Sequence, residues 1–488
     1  MGDGAFVRAV RARGLETWAV ELAADTFAAA VGSGLIAADR AVHGDFLSVQ
    51  PFPVDAVIGN PPYVRLRHLP EPEARRAKRV AESVIGSSMD PSGSIWMPFV
   101  LHASEFMRRG GCMALVLPFD VTYVRYARPL WRFLSGSFSE LRLVRVHERV
   151  FPEILQDVVL LLAGGFGGAT EAIEFEAYDR VLDLVAGTPL VSSSIAVEEV
   201  VAGERPFAEA LLPPELRFLL SSRLAEATVP ARELVKFRIG YVSGDKRFFH
   251  PDESTVRRFG LPSRHLVPAL TSSRQLGGAG VRTSGVPPRA GGSLYLPATG
   301  SLASGEREYL EEGEAAGVSR RYKCRVREPW FVTPGVRIPD LVVPVFAAAP
   351  LLLDNDAGYA ASNSLLCGYL RPGVSAASVL ARWYTSLTLL QIELEVHSLG
   401  GGVRVFVPNE AGAIRLPRRT RASPRLLERA DALVRARAVT AAYEAGDGPV
   451  LGRQLGLSPD EIGLIRNGIA TLEAWRNSSR ASRLAAAA

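Results

Sequence analysis

Lysine is nearly absent from this 488-residue chain, which has four lysines among its 56 basic residues and therefore 52 arginines. No lysine follows a glycine, so there is no G-K-[ST] phosphate-binding loop, and none stands two residues after Asp or Glu, as in a common nuclease site. These absences argue against an ATPase and against that type of nuclease. The arginine excess fits a GC-rich genome, and arginine also suits bidentate contacts to phosphate and guanine.

Cysteine and long apolar runs are also scarce. Cys112, Cys324 and Cys367 form no CxxC pair, which argues against a disulfide framework or a zinc site and fits a reducing cytoplasm. The longest apolar stretches, such as 158–166 and 345–353, are too short to span a bilayer, and no signal-peptide pattern opens the chain. The sequence predicts a cytoplasmic, nucleoid-associated protein without a metal or a membrane partner.

What is present is the composition of a globular protein, 48% hydrophobic and 22% charged, with a net charge of +5. The length suffices for two or three domains. The mild positive charge hints at a polyanionic partner.

Residues 1–165 alternate helix-like and strand-like segments with short loops, which predicts an α/β fold with a mostly parallel, Rossmann-like sheet covered on both faces. The strands at 141–147 and 157–165 are joined by a connection too short for a crossover helix. We therefore expect them to form an antiparallel pair at one edge of the sheet.

The rest of the chain predicts three further parts. A connecting segment at 171–229 precedes a loop-rich, mixed α/β domain at 230–420 and a helical region at 421–488. In that last region Ser458, Pro459 and Glu461 are typical of a helix N-terminus. This tail either caps the preceding domain or binds a partner.

Polar and small residues stand at successive predicted strand ends, where open parallel sheets bind ligands. A glycine turn opens the chain, an acid ends the second strand, an acid and a ring follow the third, and an amide with two prolines and a ring follows the fourth. These groups are Gly2-Asp3-Gly4-Ala5-Phe6, Glu21, Asp45-Phe46 and Asn60-Pro61-Pro62-Tyr63. Two prolines cannot continue a sheet, so the last group predicts a stiff turn that presents Asn60 and Tyr63.

This ordered set resembles the class I S-adenosylmethionine-dependent DNA methyltransferases that act on N6 of adenine. Within them it resembles the gamma-type, TaqI-like group, in which the target-recognition domain follows the catalytic one. The resemblance covers residues 1–420 and is strongest over 2–165. It implies a catalytic domain at 1–170, a target-recognition domain at 230–420, S-adenosylmethionine as cofactor and double-stranded DNA as partner. It also implies a restriction-modification or phage-defence role, in which a separate endonuclease or other defence subunits act beside this chain.

The resemblance also implies roles for individual residues. By this resemblance the cofactor loop consists of Gly2, Asp3, Gly4 and Phe6, Glu21 binds the ribose, and Asp45 and Phe46 contact the cofactor adenine. The catalytic residues implied are Asn60, Pro61, Pro62 and Tyr63. Tyr63 and Phe151 are implied to stack on the two faces of the target base.

One departure concerns the start of the chain. The family's glycine loop is usually preceded by a full strand, whereas Met1 stands directly before Gly2 here. We therefore expect the first strand of the family's sheet to be missing and cofactor binding to be weak. We also expect a gap in the sheet between the family's second strand, which ends at Glu21 here, and its fourth strand, which ends just before Asn60. Either the start codon is assigned too far downstream or the chain is a genuine truncation.

Other functions share parts of this pattern. Glutamine N-methyltransferases acting on proteins and adenine methyltransferases acting on RNA use the same tetrapeptide chemistry, and cytosine N4 enzymes more often have Ser or Asp in place of Asn60. A catalytically impaired DNA-binding remnant or subunit is an alternative of a different class.

Overall fold

The computed structural model describes residues 2–148, 157–286, 292–347, 350–399 and 402–486. The chain divides into two compact units. The first holds the described residues up to Leu211 and those from Ala481 onward, and the second spans Leu212–Arg480.

The first unit alternates helices and strands, as the sequence predicts. Its strands are β1 (Ala19–Glu21), β2 (Ala41–His43), β3 (Val54–Gly59), β4 (Met107–Pro118), β5 (Phe138–Val146), β6 (Val158–Phe166), β7 (Ala172–Tyr178) and β8 (Val191–Ala196). Its helices are α1 (Ala5–Arg11), α2 (Ala24–Gly32), α3 (Glu71–Ile85), α4 (Trp96–Glu105), α5 (Arg128–Ser137), α6 (Val181–Ala186), α7 (Val197–Ala202) and α8 (Pro206–Glu209).

A six-stranded sheet in the order β3-β4-β6-β5-β7-β8 forms the centre of this unit. β3 runs parallel to β4 and β5 parallel to β7, while β6 and β8 run the opposite way. The α/β class with a mostly parallel sheet is confirmed, and so is the antiparallel pairing of β5 with β6. The predicted edge position of that pair is wrong, because β6 lies between β4 and β5.

Two strands beyond residue 170 extend the sheet. β7 has an alternating burial pattern, with Ile173 and Phe175 fully buried, and β8 pairs with it as the antiparallel edge strand. Residues 172–178 and 191–196 are thus strands of the sheet, although the sequence suggests a connecting segment over 171–229. The functional division of the chain into four parts stays a prediction.

β1 and β2 form a separate parallel pair, with Glu21 opposite His43. In the described residues no backbone ladder joins this pair to the six-stranded sheet. Val7, Ala19, Ala30 and Ile36 form a small core that holds α1 and α2 against the pair.

The second unit is built from short strands and many helices. Its strands are β9 (Thr228–Pro230), β10 (Val235–Ile239), β11 (Leu266–Leu270), β12 (Ser293–Tyr295), β13 (Leu341–Pro344), β14 (Phe346–Ala347), β15 (Leu353–Asp354), β16 (Ala360–Ala361), β17 (Leu365–Leu370), β18 (Ser398–Leu399), β19 (Val403–Val405) and β20 (Arg415–Pro417). Its helices are α9 (Pro214–Ser221), α10 (Arg223–Ala227), α11 (Glu253–Phe259), α12 (Ser304–Ala315), α13 (Tyr322–Arg325), α14 (Ala376–Trp383), α15 (Ser386–Glu395), α16 (Pro408–Ala413), α17 (Pro424–Arg435), α18 (Val439–Glu444) and α19 (Pro459–Ala486).

The largest sheet of this unit has the order β10-β17-β13-β15, and its neighbouring strands are antiparallel. The last helix begins as the sequence predicts. The Ser458 hydroxyl accepts the N–H of Glu461 at 3.1 Å, and the Glu461 carboxylate accepts the N–H of Ser458 at 2.7 Å. Ile465, Ile469 and Leu472 of α19 are buried, so this part of the tail packs within the second unit.

Candidate functional site

The proline turn follows directly on β3 and lies at the surface. Asn60 and Pro62 are exposed, Pro61 is buried and Tyr63 is half-buried. The Tyr63 hydroxyl is 2.9 Å from Oδ1 of Asn60 and 3.0 Å from the carbonyl oxygen of Val116 on β4. One phenolic proton is therefore shared between the amide oxygen of the turn and the neighbouring parallel strand.

The surroundings of Tyr63 keep its hydroxyl protonated. Burial, and then the negative charge of Asp120, raise the pKa of the Tyr63 phenol well above its ordinary value. Asp120 is itself held by Arg65 and Tyr126, each 3.4 Å from its carboxylate. Tyr63 can consequently act as a hydrogen-bond donor that orients the Asn60 side chain, and it cannot act as a base near neutral pH.

The glycine turn and the acid at the end of β1 meet in the structure. Gly4 has a φ of +81°, and a Cβ there would lie 2.2 Å from a Leu35 methyl group, so this position favours glycine. The Glu21 carboxylate accepts N–H groups from Gly2 and Ala23, each at 3.0 Å. Burial alone would raise the pKa of Glu21, but the surrounding donors, first Ala23 and then Gly2, bring it below its ordinary value.

The two other predicted members of this turn are less enclosed. Asp3 is exposed, and its carboxylate accepts the N–H of Ala5 at 3.1 Å, while Phe6 is half-buried on α1.

Asp45 lies beside Glu21 through the pairing of β1 with β2. The N–H of Gly44 donates to the carbonyl oxygen of Glu21 at 2.9 Å. The Asp45 carboxylate accepts the N–H of Leu47 at 3.0 Å and pairs with Arg76 of α3. Both predicted carboxylates thus stand at carboxyl ends of adjacent parallel strands, which is where this class of fold binds ligands.

Aromatic packing fixes Phe46. Its ring centroid is 5.3 Å from that of Phe99, 5.1 Å from His102 and 5.4 Å from Phe106. These partners lie on or next to α4, which leads into β4. Phe46 therefore connects the β1–β2 pair to the six-stranded sheet by side-chain contacts.

The predicted site residues that the structure describes all lie in the first unit. Hydrogen bonds join Gly2 to the Glu21 carboxylate and Gly44, the neighbour of Asp45, to the Glu21 carbonyl oxygen, whereas the turn at 60–63 lies at the end of a strand of the six-stranded sheet. Phe151 lies outside the described residues. The sequence analysis missed Arg76, because its pairing with Asp45 joins residues 31 positions apart, and the basic run of α3 was the available signal.

Neither a metal cluster nor a membrane-spanning helix occurs among the described residues. Within the described ranges, no three His, Cys, Asp or Glu side chains are grouped so as to hold a metal ion. In the same part of the chain, no helix is both long and apolar enough to cross a membrane.

Two sequence families match the chain. Residues 45–151 match the Eco57I restriction-modification methylase family, and residues 204–451, just over half of the chain, match the C-terminal domain of the Type II methyltransferase M.Eco57I.

Curated relatives agree with this result. The Type II methyltransferase M.AccI of Acinetobacter calcoaceticus is 19% identical over 376 residues, which is 73% of this chain and 67% of M.AccI. The Type II methyltransferase M.BstVI of Geobacillus stearothermophilus is 26% identical over 112 residues, 22% of this chain and 19% of M.BstVI.

Solved structures with partial similarity include two restriction enzymes. The type IIG restriction endonuclease BpuSI is 15% identical with a TM-score of 0.36, and the match covers 90% of this chain and 56% of BpuSI. The Type IIL restriction-modification enzyme MmeI, solved with DNA, is 11% identical with a TM-score of 0.46, covering 90% of this chain and 57% of MmeI. The chain thus spans little more than half of either enzyme.

The residues that bear the site lie largely inside these matches. Asp45, Phe46 and the turn at 60–63 fall within the 45–151 match, and most of the second unit falls within the C-terminal match. The chain belongs to the Eco57I family of restriction-modification methyltransferases.

Proposed function

We propose that this protein transfers a methyl group from S-adenosylmethionine to N6 of an adenine that is extruded from double-stranded DNA, within a restriction-modification or phage-defence system. The observation that carries the proposal is the exposed turn at the end of β3, in which Tyr63 orients the Asn60 amide oxygen. A target base can reach this oxygen from solvent.

The turn supplies what an adenine amine requires. The lone pair of that nitrogen is delocalised into the ring, so the amine is a poor nucleophile. Oδ1 of Asn60 and the carbonyl oxygen of Pro61 can accept its two N–H groups, which favours a pyramidal nitrogen with a directed lone pair. Pro61 has a fixed φ, Pro62 restricts its ψ, and Pro61 is buried, so this carbonyl stays in place.

The residues around Glu21 fit the proposed methyl donor. The Glu21 carboxylate accepts the N–H groups of Gly2 and Ala23, and a carboxylate at this kind of strand end is the type of group that accepts ribose hydroxyls. Asp45 keeps acceptor capacity beside Leu47 and Arg76, so it can bind an adenine amino group. S-adenosylmethionine supplies an electrophilic methyl group; the chain's own part is to bind, position and exclude water.

Tyr63 has two roles in this proposal, which substitution can separate. Tyr63→Phe keeps the ring but removes the hydroxyl, whose one proton is shared between Asn60 and the Val116 carbonyl oxygen; a hydrogen bond of this kind is worth about 0.5–1.5 kcal/mol, so we expect methylation to fall by about tenfold at most. Tyr63→Ala also removes stacking on the base, worth about 1–3 kcal/mol, and we expect a larger loss in kcat/KM. A fluorescent base analogue at the target position measures extrusion independently. Equal losses in both variants would contradict the stacking role.

The direct test is methylation of DNA by the purified chain. We expect incubation with S-adenosylmethionine and a plasmid library to produce N6-methyladenine at one sequence motif, detected by mass spectrometry of nucleosides and by sequencing. Methylation of RNA or of a protein glutamine instead of DNA, or of cytosine N4, would overturn the proposal.

A non-catalytic DNA-binding subunit is a second candidate. It is favoured by the separation of the β1–β2 pair, which bears Glu21, from the six-stranded sheet, which bears Asn60. DNA binding without methyl transfer in the same assay would identify this case.

A further inference from the structure

A cavity of about 440 Å³ lies in the second unit, at the end of β10. Four cationic side chains, those of Arg238, Lys323, Arg327 and Arg337, contribute to its lining, together with Tyr241 and Tyr369. Within the described part of the chain, no acidic side chain lines it. We call this feature the arginine pocket.

The backbone around the arginine pocket is closely fitted. Arg238 pairs with Cys367, and Lys236 with Tyr369, across β10 and β17, so these side chains share one face of the sheet. A Cβ at Gly240 would lie 2.2 Å from the carbonyl oxygen of Ser362. Only glycine therefore lets the chain after β10 pass this close to its neighbour.

Hydrogen bonds fix the opposite wall. The Arg327 guanidinium donates to the carbonyl oxygens of Val242 and Ser243 at 2.5 and 2.7 Å. These hydrogen bonds hold the segment that contains Arg327 against the segment that follows β10. Gly244 has a φ of +97°, and a Cβ there would lie 2.7 Å from Sγ of Cys324. The walls of the pocket are therefore defined by backbone contacts and by hydrogen bonds to backbone carbonyl groups.

Among the described residues, none of the four cationic side chains of the arginine pocket forms an ion pair with an acid. Asp245 already accepts the N–H of Phe248 and pairs with Arg321, and Asp340 accepts the N–H of Leu370 at 2.8 Å. Arg238 and Arg337 are exposed. Burying an anion among these cations would relieve their mutual repulsion.

Exposed apolar and aromatic side chains belong to the lining of the pocket or adjoin its lining residues in the sequence. Ile239 is 45% exposed, Val326 64%, Tyr322 64% and Ile338 55%. Ile239 and Val326 line the cavity itself, and the Arg337 guanidinium lies 6.0 Å from the Tyr369 ring centroid. Arginines interleaved with exposed aromatic and apolar groups are typical of surfaces that bind nucleic acid.

We infer that the arginine pocket binds a backbone phosphodiester of the double-stranded DNA, with Arg238 and Arg337 as its phosphate ligands. Their guanidinium groups can donate paired N–H groups to the phosphate oxygens. A contact of this kind positions the duplex and carries no base information itself. The inference rests on the proposed function, because it names where the second unit holds the DNA of that reaction.

The test is the salt dependence of duplex binding by the full chain, measured by fluorescence anisotropy. We expect Arg238→Gln with Arg337→Gln to raise Kd by about tenfold or more and to reduce the slope of log K against log[salt] by about 1 to 2. Arg257→Gln is the matched control, since Arg257 is exposed on α11 and already pairs with Glu253. We expect the control to keep the affinity and slope of the unsubstituted chain.

The outcomes separate this inference from the proposed function. If the unsubstituted chain methylates and binds DNA, and the double variant keeps the same slope, the pocket is not a DNA phosphate site while the function stands. If titration with inorganic phosphate shows tight binding that the double variant loses, and the DNA slope is unchanged, the pocket serves a small anion and the inference fails. If the unsubstituted chain binds no duplex, both the inference and the proposed function fail.

Discussion

Asn60→Ala is expected to reduce methyl transfer by about 10²- to 10³-fold, the loss typical when one directed polar group is removed from a preorganised reaction site. The turn is otherwise retained, because Pro61 and Pro62 still fix the backbone and Tyr63 still donates to Val116. DNA affinity and donor affinity should both persist, since neither depends on the amide. Single-turnover methylation with saturating DNA measures the chemical step, and anisotropy and calorimetry measure the two affinities.

The matched control for this variant is Asn467→Ala, the same exchange at an exposed position of α19. It should leave the methylation rate unchanged. An Asn60→Ala enzyme that methylates at the original rate would show that the turn does not bind the target amine. Loss of DNA binding in that variant would instead indicate a role in docking.

The second large effect concerns stability. Glu393→Gln is expected to destabilise the second unit by about 3–5 kcal/mol, because it removes the more deeply buried of the two negative charges in an ion network. The Glu393 side chain is 2% exposed and contacts Arg404 of β19, also 2% exposed, and Arg476 of α19. Burial, and then the like charge of Arg476, already lower the pKa of Arg404 to about 10. Without Glu393, Arg404 and Arg476 would keep Glu473, whose side chain is 43% exposed, as their remaining acidic partner in this network of described residues.

Differential scanning calorimetry measures this effect as a fall of about 6–20 °C in the Tm of the second unit. Glu428→Gln, at an exposed position of α17, makes the same chemical change without burial and should leave the Tm within about 1–2 °C. If the Glu393→Gln protein had the same Tm as the unsubstituted protein, the ion network would not be what stabilises the packing of α19 in the second unit.

The pairing partners of the strands were less predictable than the strands themselves. Helix–strand alternation predicted the parallel sheet, and the short link between β5 and β6 predicted their antiparallel pairing. The insertion of β6 between β4 and β5 could not be predicted, because every one of these strands is apolar enough to pair with any other. The extension by β7 and β8 was missed for a similar reason, since their alternation also suits an isolated hairpin.

In the candidate site too, the local turns and acids were predictable from the sequence, whereas the contacts between distant side chains were not. The glycine turn, the two acids and the proline turn were recognisable because special backbone angles and rare dipeptides restrict which residues can stand there. The bond from Tyr63 to Asn60, the pairing of Arg76 with Asp45 and the packing of Phe46 on α4 were not recognisable. Each joins side chains whose approach depends on how the surrounding elements pack.

The amino-acid sequence alone determined the kind of elements, the turn that ends β3 and the chemistry that this turn can offer. These properties are local, because backbone sterics and side-chain functional groups belong to the residue and its immediate neighbours. Only the tertiary structure decided the strand order, the hydrogen bond that aligns the Asn60 oxygen, the ion network that holds α19 and the gathering of cations into the arginine pocket. Those depend on contacts between residues far apart in the chain, for which each apolar or arginine residue has many alternative partners until the whole fold selects one.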